Sequence, residues 1–412
     1  MAVKDEEGGV GPAISLDKLL AGAYLRGRMT PRQRMAMAMW GKIPDRVPLM
    51  CQMSIGHMVV QTDFSPLEFW HSVEAFAQGL LDLRKLYHFD GILVSLHGHS
   101  PDWEKRIRNL RRDDEGVTVD WENGDKTVFP FDDLPRHYPS QQPKRLELSE
   151  IEPSMIPEEI HFIPVSQGLE FAIDAACPFE IFDILRERAG EEFSLHGEVT
   201  SPFDYFLNLL GFKEALIGLI EDPGKSKEIL ERYAAAVTRL ALGIVDHDVD
   251  AIKVSSPFAG SGFISPLFYR EFVMPFEAKI ARAVRERGLP VYVHTCGAIG
   301  DRLEFMVEAG FIGIECLDPP PLGDVELGEA KKRVGHRVFI KGNLDPVNVL
   351  LRGSKEEVRR EAHRALEAGK PGGRYILSTA CSIAPHTPRE NVQVLIEVVE
   401  EAGFYLSSSS SK

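Results

Sequence analysis

Short apolar segments with the β-branched and aromatic residues typical of strands alternate with helix-like segments from about residue 31 onward. The predicted strands are 46–54, 90–98, 192–201, 250–258, 289–297, 310–318, 337–343 and 374–382. Thr30 and Pro31 form a favourable start for the first helix, and several of the helices end at glycine. Eight such strands predict an α/β fold, a (β/α)8 TIM barrel. An open doubly wound sheet is the alternative, but no G-x-G-x-x-G motif follows an early strand.

One connection is far longer than such a barrel requires. Roughly ninety residues separate the second and third predicted strands, well above the usual loop length. Within this stretch, 116–131 predicts a hairpin around an Asn-Gly-Asp turn, and 136–154 predicts an exposed connection. We therefore expect an insertion at about 102–165 at the C-terminal face of the barrel, as a lid or docking element. The alternative interpretation is that the insertion lies on the surface and has no role at the active site.

The remaining chain is predicted to form a single domain. Residues 30–405 are expected to build the barrel, 1–29 an N-terminal extension and 406–412 a disordered tail, because the chain ends in a serine-rich run.

Composition excludes several classes of partner. The formal net charge of −15 argues against nucleic acid or an anionic membrane surface as the main partner. No apolar run reaches the length of a membrane span, and the N-terminus lacks the features of a signal peptide. Five cysteines in a chain of 412 residues favour a reduced, cytoplasmic protein.

Potential metal ligands stand at the ends of three predicted strands. His294 and Cys296 are two apart in one strand and should face the same side. Cys381 ends the last strand and Glu315 lies near the end of the sixth, so all four should meet at the barrel mouth. Two thiolates, an imidazole and a carboxylate are ligands of zinc. Alternation predicts that Cys316 points away from this site.

Two other interpretations of these residues remain open. A buried histidine can lie beside an inert cysteine in a protein core. His294 and Cys296 could also form a nucleophilic Cys–His pair, although such a pair would leave Cys381 unexplained.

Several motifs resemble the uroporphyrinogen decarboxylase superfamily. They include "YILSTACSIAPHTPREN", "RVFIKGNLDPVNVLL" and "GEVTSPFDYFLNLLGF". The resemblance covers most of the chain outside the insertion and the termini, and it implies the (β/α)8 fold. The chain departs from true decarboxylases, which carry an Arg-rich segment after strand one, an Asp at the end of strand two and a His in the last strand. Here 51–59 contains no arginine, Leu96 or His97 replaces the Asp, and Cys381 replaces the His.

The same residues resemble the zinc-dependent, corrinoid-linked methyltransferase branch of the superfamily. His294, Cys296 and Cys381 match its H-x-C and late-Cys signature. A similar zinc set in cobalamin-independent methionine synthase includes a Glu one strand later, which supports Glu315. The resemblance implies Zn2+ and methyl transfer between a small molecule, such as a methoxylated aromatic or a thiol, and a corrinoid (cobalamin). The D-x-H-x-x-G corrinoid motif is absent, so a separate corrinoid protein is the expected partner.

Further residues are candidates for substrate binding. Met53, His57, His97, Lys253 and Asn343 lie near the ends of predicted strands or within them. Core or loop roles are the alternative for these residues. The function alternatives are a decarboxylase-like lyase acting on a tetrapyrrole and a non-enzymatic barrel in a methyl-transfer complex. A homodimer is compatible with each of these functions.

Overall fold

The computed structural model describes residues 29–142, 145–165 and 168–405. The predicted tail at 406–412 and all but Met29 of the predicted N-terminal extension lie outside the described residues. No helix of the described chain is both long and apolar enough to cross a membrane.

The strands of the described residues fall into one parallel and two antiparallel sheets. In chain order they are β1 Gly91–Val94, β2 Ile107–Asp113, β3 Gly116–Trp121, β4 Lys126–Pro130, β5 Arg136–Tyr138, β6 Phe162–Val165, β7 Leu169–Ala172, β8 Ser194–Thr200, β9 Ala251–Ser255, β10 Val291–Thr295, β11 Gly313–Cys316, β12 Phe339–Leu344 and β13 Tyr375–Thr379. The seven-stranded parallel sheet has the order β1-β8-β9-β10-β11-β12-β13. These seven strands lie within seven of the predicted barrel strands or overlap them.

The first predicted strand closes the barrel without forming a regular strand. Segment 46–54 runs between β13 and β1 and pairs through isolated bridges, which are parallel from Leu49 to Leu377 and from Met53 to Ile383 and antiparallel from Arg46 to Phe404. On its other side, the Leu49 carbonyl accepts a hydrogen bond of 2.7 Å from the Asp90 amide. The prediction of a regular strand here was wrong, because Pro48 has no N–H and the Leu49 N–H bonds to the Asp90 carboxylate at 2.7 Å.

Asp90 lies at the junction where the barrel closes. Its buried carboxylate pairs with Arg34 at 2.5 Å and with Arg46 at 2.9 Å, in addition to its bond with the Leu49 amide. A buried carboxylate needs such partners, since an unpaired charge in the interior is strongly unfavourable. Side-chain bonds thus join the entry segment to the first strand of the sheet.

Helices cover the outside of the parallel sheet. In chain order they are α1 Pro31–Met39, α2 Ile55–Gln61, α3 Pro66–His71, α4 Val73–Tyr87, α5 Glu180–Ala189, α6 Pro202–Leu210, α7 Phe212–Glu221, α8 Pro223–Val245, α9 Pro266–Phe272, α10 Met274–Glu286, α11 Leu303–Glu308, α12 Leu327–Arg333, α13 Lys355–Gly369 and α14 Arg389–Ala402. Thr30 caps α1 through a capping box with Gln33, as its sequence predicts. Residues 66–87 form two helices, α3 and α4, because Ser72 leaves the helical conformation and caps α4.

The long connection between β1 and β8 carries both antiparallel sheets. Strands β3 and β4 pair from Gly116 with Pro130 to Asp120 with Lys126, which confirms the predicted hairpin. Strand β2 pairs with β3, and β5 pairs with β4, so the hairpin is the centre of a four-stranded sheet. Sequence patterns missed β2 because its residues are charged and mostly exposed. The hairpin β6–β7 was also missed.

Candidate metal centre

His294 and Cys296 lie together at the carboxyl end of β10. His294 is the fourth residue of the strand and Cys296 follows the strand directly. The Nε2 atom of His294 lies 3.2 Å from the Cys296 Sγ. The His294 side chain is 3% exposed, so the pair lies inside the barrel rather than on its rim.

Cys381 approaches the same point from the end of β13. Its Sγ lies 3.6 Å from the Sγ of Cys296, although 85 residues separate the two along the chain. Both are free thiols. Strands β10 and β13 are separated in the sheet by two others, so only the curvature of the barrel brings these thiols into contact.

Cys316 belongs to the cluster, and the expectation that it points away was wrong. Its thiol lies with the His294 nitrogen and the Cys296 thiol in a group whose potential ligand atoms are all within 4.8 Å of one another. The cause is the backbone at the end of β11, where φ is 85° at Cys316 and 57° at Leu317. These left-handed conformations end the alternation of an extended strand. The Cys316 thiol also donates to the Asp318 carboxylate at 3.2 Å.

Glu315 lies on the other side of the His294 ring. Its Oε2 is 3.0 Å from Nδ1 of His294 and 3.1 Å from the Lys253 ammonium, while its Oε1 contacts the Lys341 ammonium. His294, Glu315 and Lys341 occupy one row across β10, β11 and β12, since each is the register partner of the next. The thiols therefore face Nε2 of His294, and the carboxylate faces Nδ1.

The surroundings of the cluster favour the charged form of two groups, the Cys381 thiol and the Glu315 carboxyl, whereas the pKa values of the Cys296 and Cys316 thiols are raised. Hydrogen bonds from Cys296 and Cys316 hold the pKa of the Cys381 thiol well below its usual range, despite burial. Burial alone would raise the pKa of Glu315, but Lys253 and Lys341 hold it well below its usual range. Cys381 is therefore the thiol most readily available as a thiolate.

Residues 149–402 match the family described as Uroporphyrinogen decarboxylase (URO-D). The chain belongs to the uroporphyrinogen decarboxylase family. This membership confirms the resemblance seen in the sequence motifs.

Curated relatives within this family carry two different names. The chain is 28% identical over 222 residues to the methylcobamide:CoM methyltransferase MtaA of Methanosarcina barkeri, a match that covers 54% of this chain and 62% of MtaA. It is 34% identical over 192 residues to the uroporphyrinogen decarboxylase of Thioalkalivibrio sulfidiphilus, covering 45% of this chain and 51% of that enzyme. The chain thus spans less than two thirds of the length of these relatives.

The fold agrees with a solved structure. A methyltransferase from Methanosarcina mazei superposes with a TM-score of 0.67, covering 91% of this chain and 99% of that chain at 20% sequence identity. This similarity confirms the predicted α/β barrel of the uroporphyrinogen decarboxylase type.

In this family member, the cluster opens into a cavity of about 360 Å3. Met53 lines it together with His294, Cys296 and Cys381. Among the described residues no arginine or lysine side chain lines this cavity. Lys253 lies beneath it, where its ammonium bonds to Gln52, which does line the cavity, at 2.6 Å. The structure therefore brings Met53 to the site directly and Lys253 through Gln52.

Three other candidate substrate residues are placed elsewhere. His57 is fully buried and its Nε2 bonds to the Tyr87 hydroxyl at 2.9 Å. His97 is fully buried and its Nδ1 bonds to the Pro178 carbonyl at 3.0 Å. Asn343 donates to the carbonyls of Leu317 and Val325 and so fixes two loops. None of the three lines the cavity, because each of these side chains is engaged by neighbouring chain segments.

The structure adds an acidic residue that sequence patterns did not identify. Asp204, in the first turn of α6, lines the cavity and is 4% exposed. Its Oδ2 has no hydrogen-bond partner among the described residues. Burial, reinforced by the nearby Glu277, raises the pKa of Asp204 well above its usual value and so favours the protonated carboxyl. Its position in a helix, away from any strand end, gave no signal in the sequence.

Proposed function

We propose that the chain is a zinc-dependent methyltransferase that moves a methyl group between a small molecule and a corrinoid carried by a partner protein. The observation that carries this proposal is the convergence of His294, Cys296 and Cys381 in a cavity whose described lining contains no arginine or lysine. The methyltransferase named among the curated relatives supports it.

The donor atoms fit zinc. One imidazole nitrogen and three thiols converge, and these are the borderline and soft ligands that zinc prefers. Zinc bound there would act as a Lewis acid that holds a thiolate nucleophile or the oxygen that loses a methyl group. We propose His294, Cys296 and Cys381 as ligands.

The fourth ligand is a choice between two neighbours in β11. Glu315 as a ligand stays a prediction, since its carboxylate is already engaged by Lys253 and Lys341. The thiol of Cys316 is placed with the other thiols and is the better candidate by position. In this arrangement Glu315 orients His294 by accepting a hydrogen bond from Nδ1–H, as carboxylates commonly do for metal-binding histidines.

Asp204 supplies a proton when the methyl donor is a methoxy compound. A corrinoid on the partner protein would supply the methyl acceptor, and the electron pair of the broken methyl–oxygen bond would stay on the departing oxygen. Protonated Asp204 can donate its proton to this oxygen, leaving an alcohol and an Asp204 carboxylate. The apolar side chains of Met53, Leu96 and Phe258 line the same cavity and suit an uncharged substrate.

A decarboxylase acting on a tetrapyrrole is the second candidate, favoured by the 34% identity to the enzyme of Thioalkalivibrio sulfidiphilus. A polycarboxylate substrate needs cations to bind its carboxylates, and neither arginine nor lysine lines the described cavity. Cytoplasmic location, a homodimer and a lid or docking role for the insertion stay predictions.

The deciding experiment measures metal and both reactions on one preparation. Zinc is quantified in the wild type and in Cys381→Ser, followed by methylcobalamin absorbance with free cob(I)alamin and a methoxylated aromatic or methyl-thiol donor. We expect one zinc per chain, lost in Cys381→Ser together with methyl transfer. Decarboxylation of uroporphyrinogen by the zinc-free variant would contradict the proposal and support the second candidate.

A further inference from the structure

A second cavity lies outside the metal site, between the four-stranded sheet of the insertion and the barrel. Its volume is about 1210 Å3, and we call it the insertion cavity. The β6–β7 hairpin contributes Phe162, Leu169 and Phe171 to its wall. Gly168 and Asn208 line both this cavity and the metal cavity, so the two are neighbours across one wall. The proposed methyl transfer makes no use of this space.

Aromatic side chains from several elements surround the insertion cavity. Trp70 comes from α3, Trp121 and Phe129 from the insertion sheet, Phe171 from β7 and Tyr233 from α8. Trp70 and Phe171 meet edge to face with ring centroids 5.3 Å apart. Such walls suit a planar apolar ligand, because aromatic rings pack edge to face or offset against one another.

Two histidines give these apolar walls unpaired polar atoms. His99 is 3% exposed, and neither of its ring nitrogens has a hydrogen-bond partner among the described residues. Its ring packs against Phe76 and Phe171, with centroids 5.3 and 4.9 Å away. The Nε2 of His71 is likewise without a partner in the described chain, and its ring stacks on Trp103. Buried polar atoms are normally paired, so these nitrogens indicate a missing partner.

The histidines are neutral at physiological pH. Burial lowers the pKa of both His71 and His99 to about 3. A neutral imidazole has one N–H donor and one lone-pair acceptor, which is the complement of a hydroxyl group. Charged groups of the cavity, among them Arg106, Glu122 and Arg145, are exposed at its rim. The interior therefore discriminates against a charged ligand.

We propose that the insertion cavity binds an uncharged, hydroxyl-bearing aromatic compound, with its ring among the aromatic side chains and its hydroxyl bonded to His99. This assignment is independent of metal binding, since no proposed zinc ligand lines the insertion cavity.

The test is titration calorimetry with 2-naphthol as the probe, on the full chain. Wild type should bind one equivalent, and 2-naphthoate should bind at least about tenfold more weakly, because a carboxylate placed at His99 would lose its hydration without gaining a cation there, since Arg106 and Arg145 are exposed at the rim. His99→Phe keeps a ring of similar shape but removes the hydrogen bond, so 2-naphthol should bind about tenfold more weakly. The same substitution should raise the Tm, because two unpaired buried nitrogens disappear.

Matched controls separate this site from others. His336→Phe changes an exposed histidine and should leave binding unchanged. Cys381→Ser should also leave it unchanged, and loss of binding there would place 2-naphthol in the metal cavity and overturn the proposal. Unaltered affinity in His99→Phe, tighter binding of 2-naphthoate, or no binding by wild type would each overturn it as well. If His99→Phe does not fold, His99→Leu, which also removes the hydrogen bond, replaces it with the same expected weakening.

Discussion

Replacing Glu315 by Gln removes the negative charge between two buried lysines. The Lys253 and Lys341 side chains and Glu315 itself are each no more than 1% exposed. The substitution keeps the shape of the side chain but leaves positive charge without compensation in the barrel interior. Its effect on stability can be estimated from the remaining partners of each lysine.

The two lysines differ in what they retain. Lys253 keeps the Glu198 carboxylate at 3.6 Å and the Gln52 carbonyl oxygen at 2.6 Å. Lys341 pairs with no other carboxylate among the described residues. Removing one partner of a buried ion pair costs about 3–5 kcal/mol. We therefore expect Glu315→Gln to lower the free energy of unfolding by about 3–5 kcal/mol, mostly through Lys341.

Urea unfolding of chelator-treated protein measures this loss without a contribution from bound metal. The double variant Glu315→Gln/Lys341→Met removes both charges and should recover to within about 2 kcal/mol of wild type. The control is Glu304→Gln, which breaks a partly exposed pair with Arg333 and should cost less than about 1 kcal/mol. If Glu315→Gln is as mild as Glu304→Gln, or the double variant is no more stable than the single one, the charge-compensation argument is refuted.

Three further outcomes are expected. Cys316→Ser should lower zinc affinity at least about tenfold in competition with a chelator, and unchanged affinity would leave the fourth position to Glu315. Asp204→Asn should retain zinc but lower the rate of methyl transfer from a methoxy donor by about 100-fold, whereas transfer from a methyl-thiol donor, whose leaving group needs no proton, should change little. Acid should destabilise the fold as pH falls from 6.5 towards 4, because histidines of the unfolded chain bind protons in this range whereas the buried histidines of the folded chain stay neutral. The free energy of unfolding should fall by up to about 1.4 kcal/mol per pH unit for each such histidine. The histidines whose pKa is lowered to about 3 or 4 are His57, His71, His97, His99 and His196. Urea midpoints that stay constant between pH 6.5 and 4 would contradict the conclusion that these histidines are neutral in the folded protein.

Local pattern and barrel geometry were sufficient to predict that His294, Cys296 and Cys381 lie close together. The alternation in 289–297 predicts a strand, and the spacing of His294 and Cys296 places both on one side of it. Strand order then brings Cys381 to the same mouth, as the 3.6 Å contact between thiols shows. These predictions succeed because they depend on period and topology, which are properties of the sequence pattern itself.

Other features depend on tertiary contacts that no local pattern contains. Cys316 turns inward because two consecutive residues adopt positive φ, and neither is a glycine or asparagine that would signal it. The lysines around Glu315 come from β12 and β9: Lys341 is its register partner, whereas Lys253 reaches it across β10, and neither contact follows from sequence spacing. The insertion cavity requires packing between the inserted sheet, the β6–β7 hairpin and three barrel helices, and no sequence motif specifies that packing.

The barrel closes at segment 46–54, and this closure, which we call the seam, is held by fewer backbone hydrogen bonds on its β1 side than the regular strand pairs. The segment makes four backbone hydrogen bonds to Leu377 and Ile383 on the β13 side and one to Gly403, but on the β1 side it makes one, from the amide of Asp90. The β10–β11 and β12–β13 pairs, by contrast, run in continuous register over four and five residue pairs. Local opening should therefore begin at this seam, and the amides of Met50 and Ser54 should exchange with solvent faster than those of β10. Because Gln52 and Met53 belong to this segment and line the metal cavity, local opening there would create a side entrance to the site without moving the strands that carry His294 and Cys381.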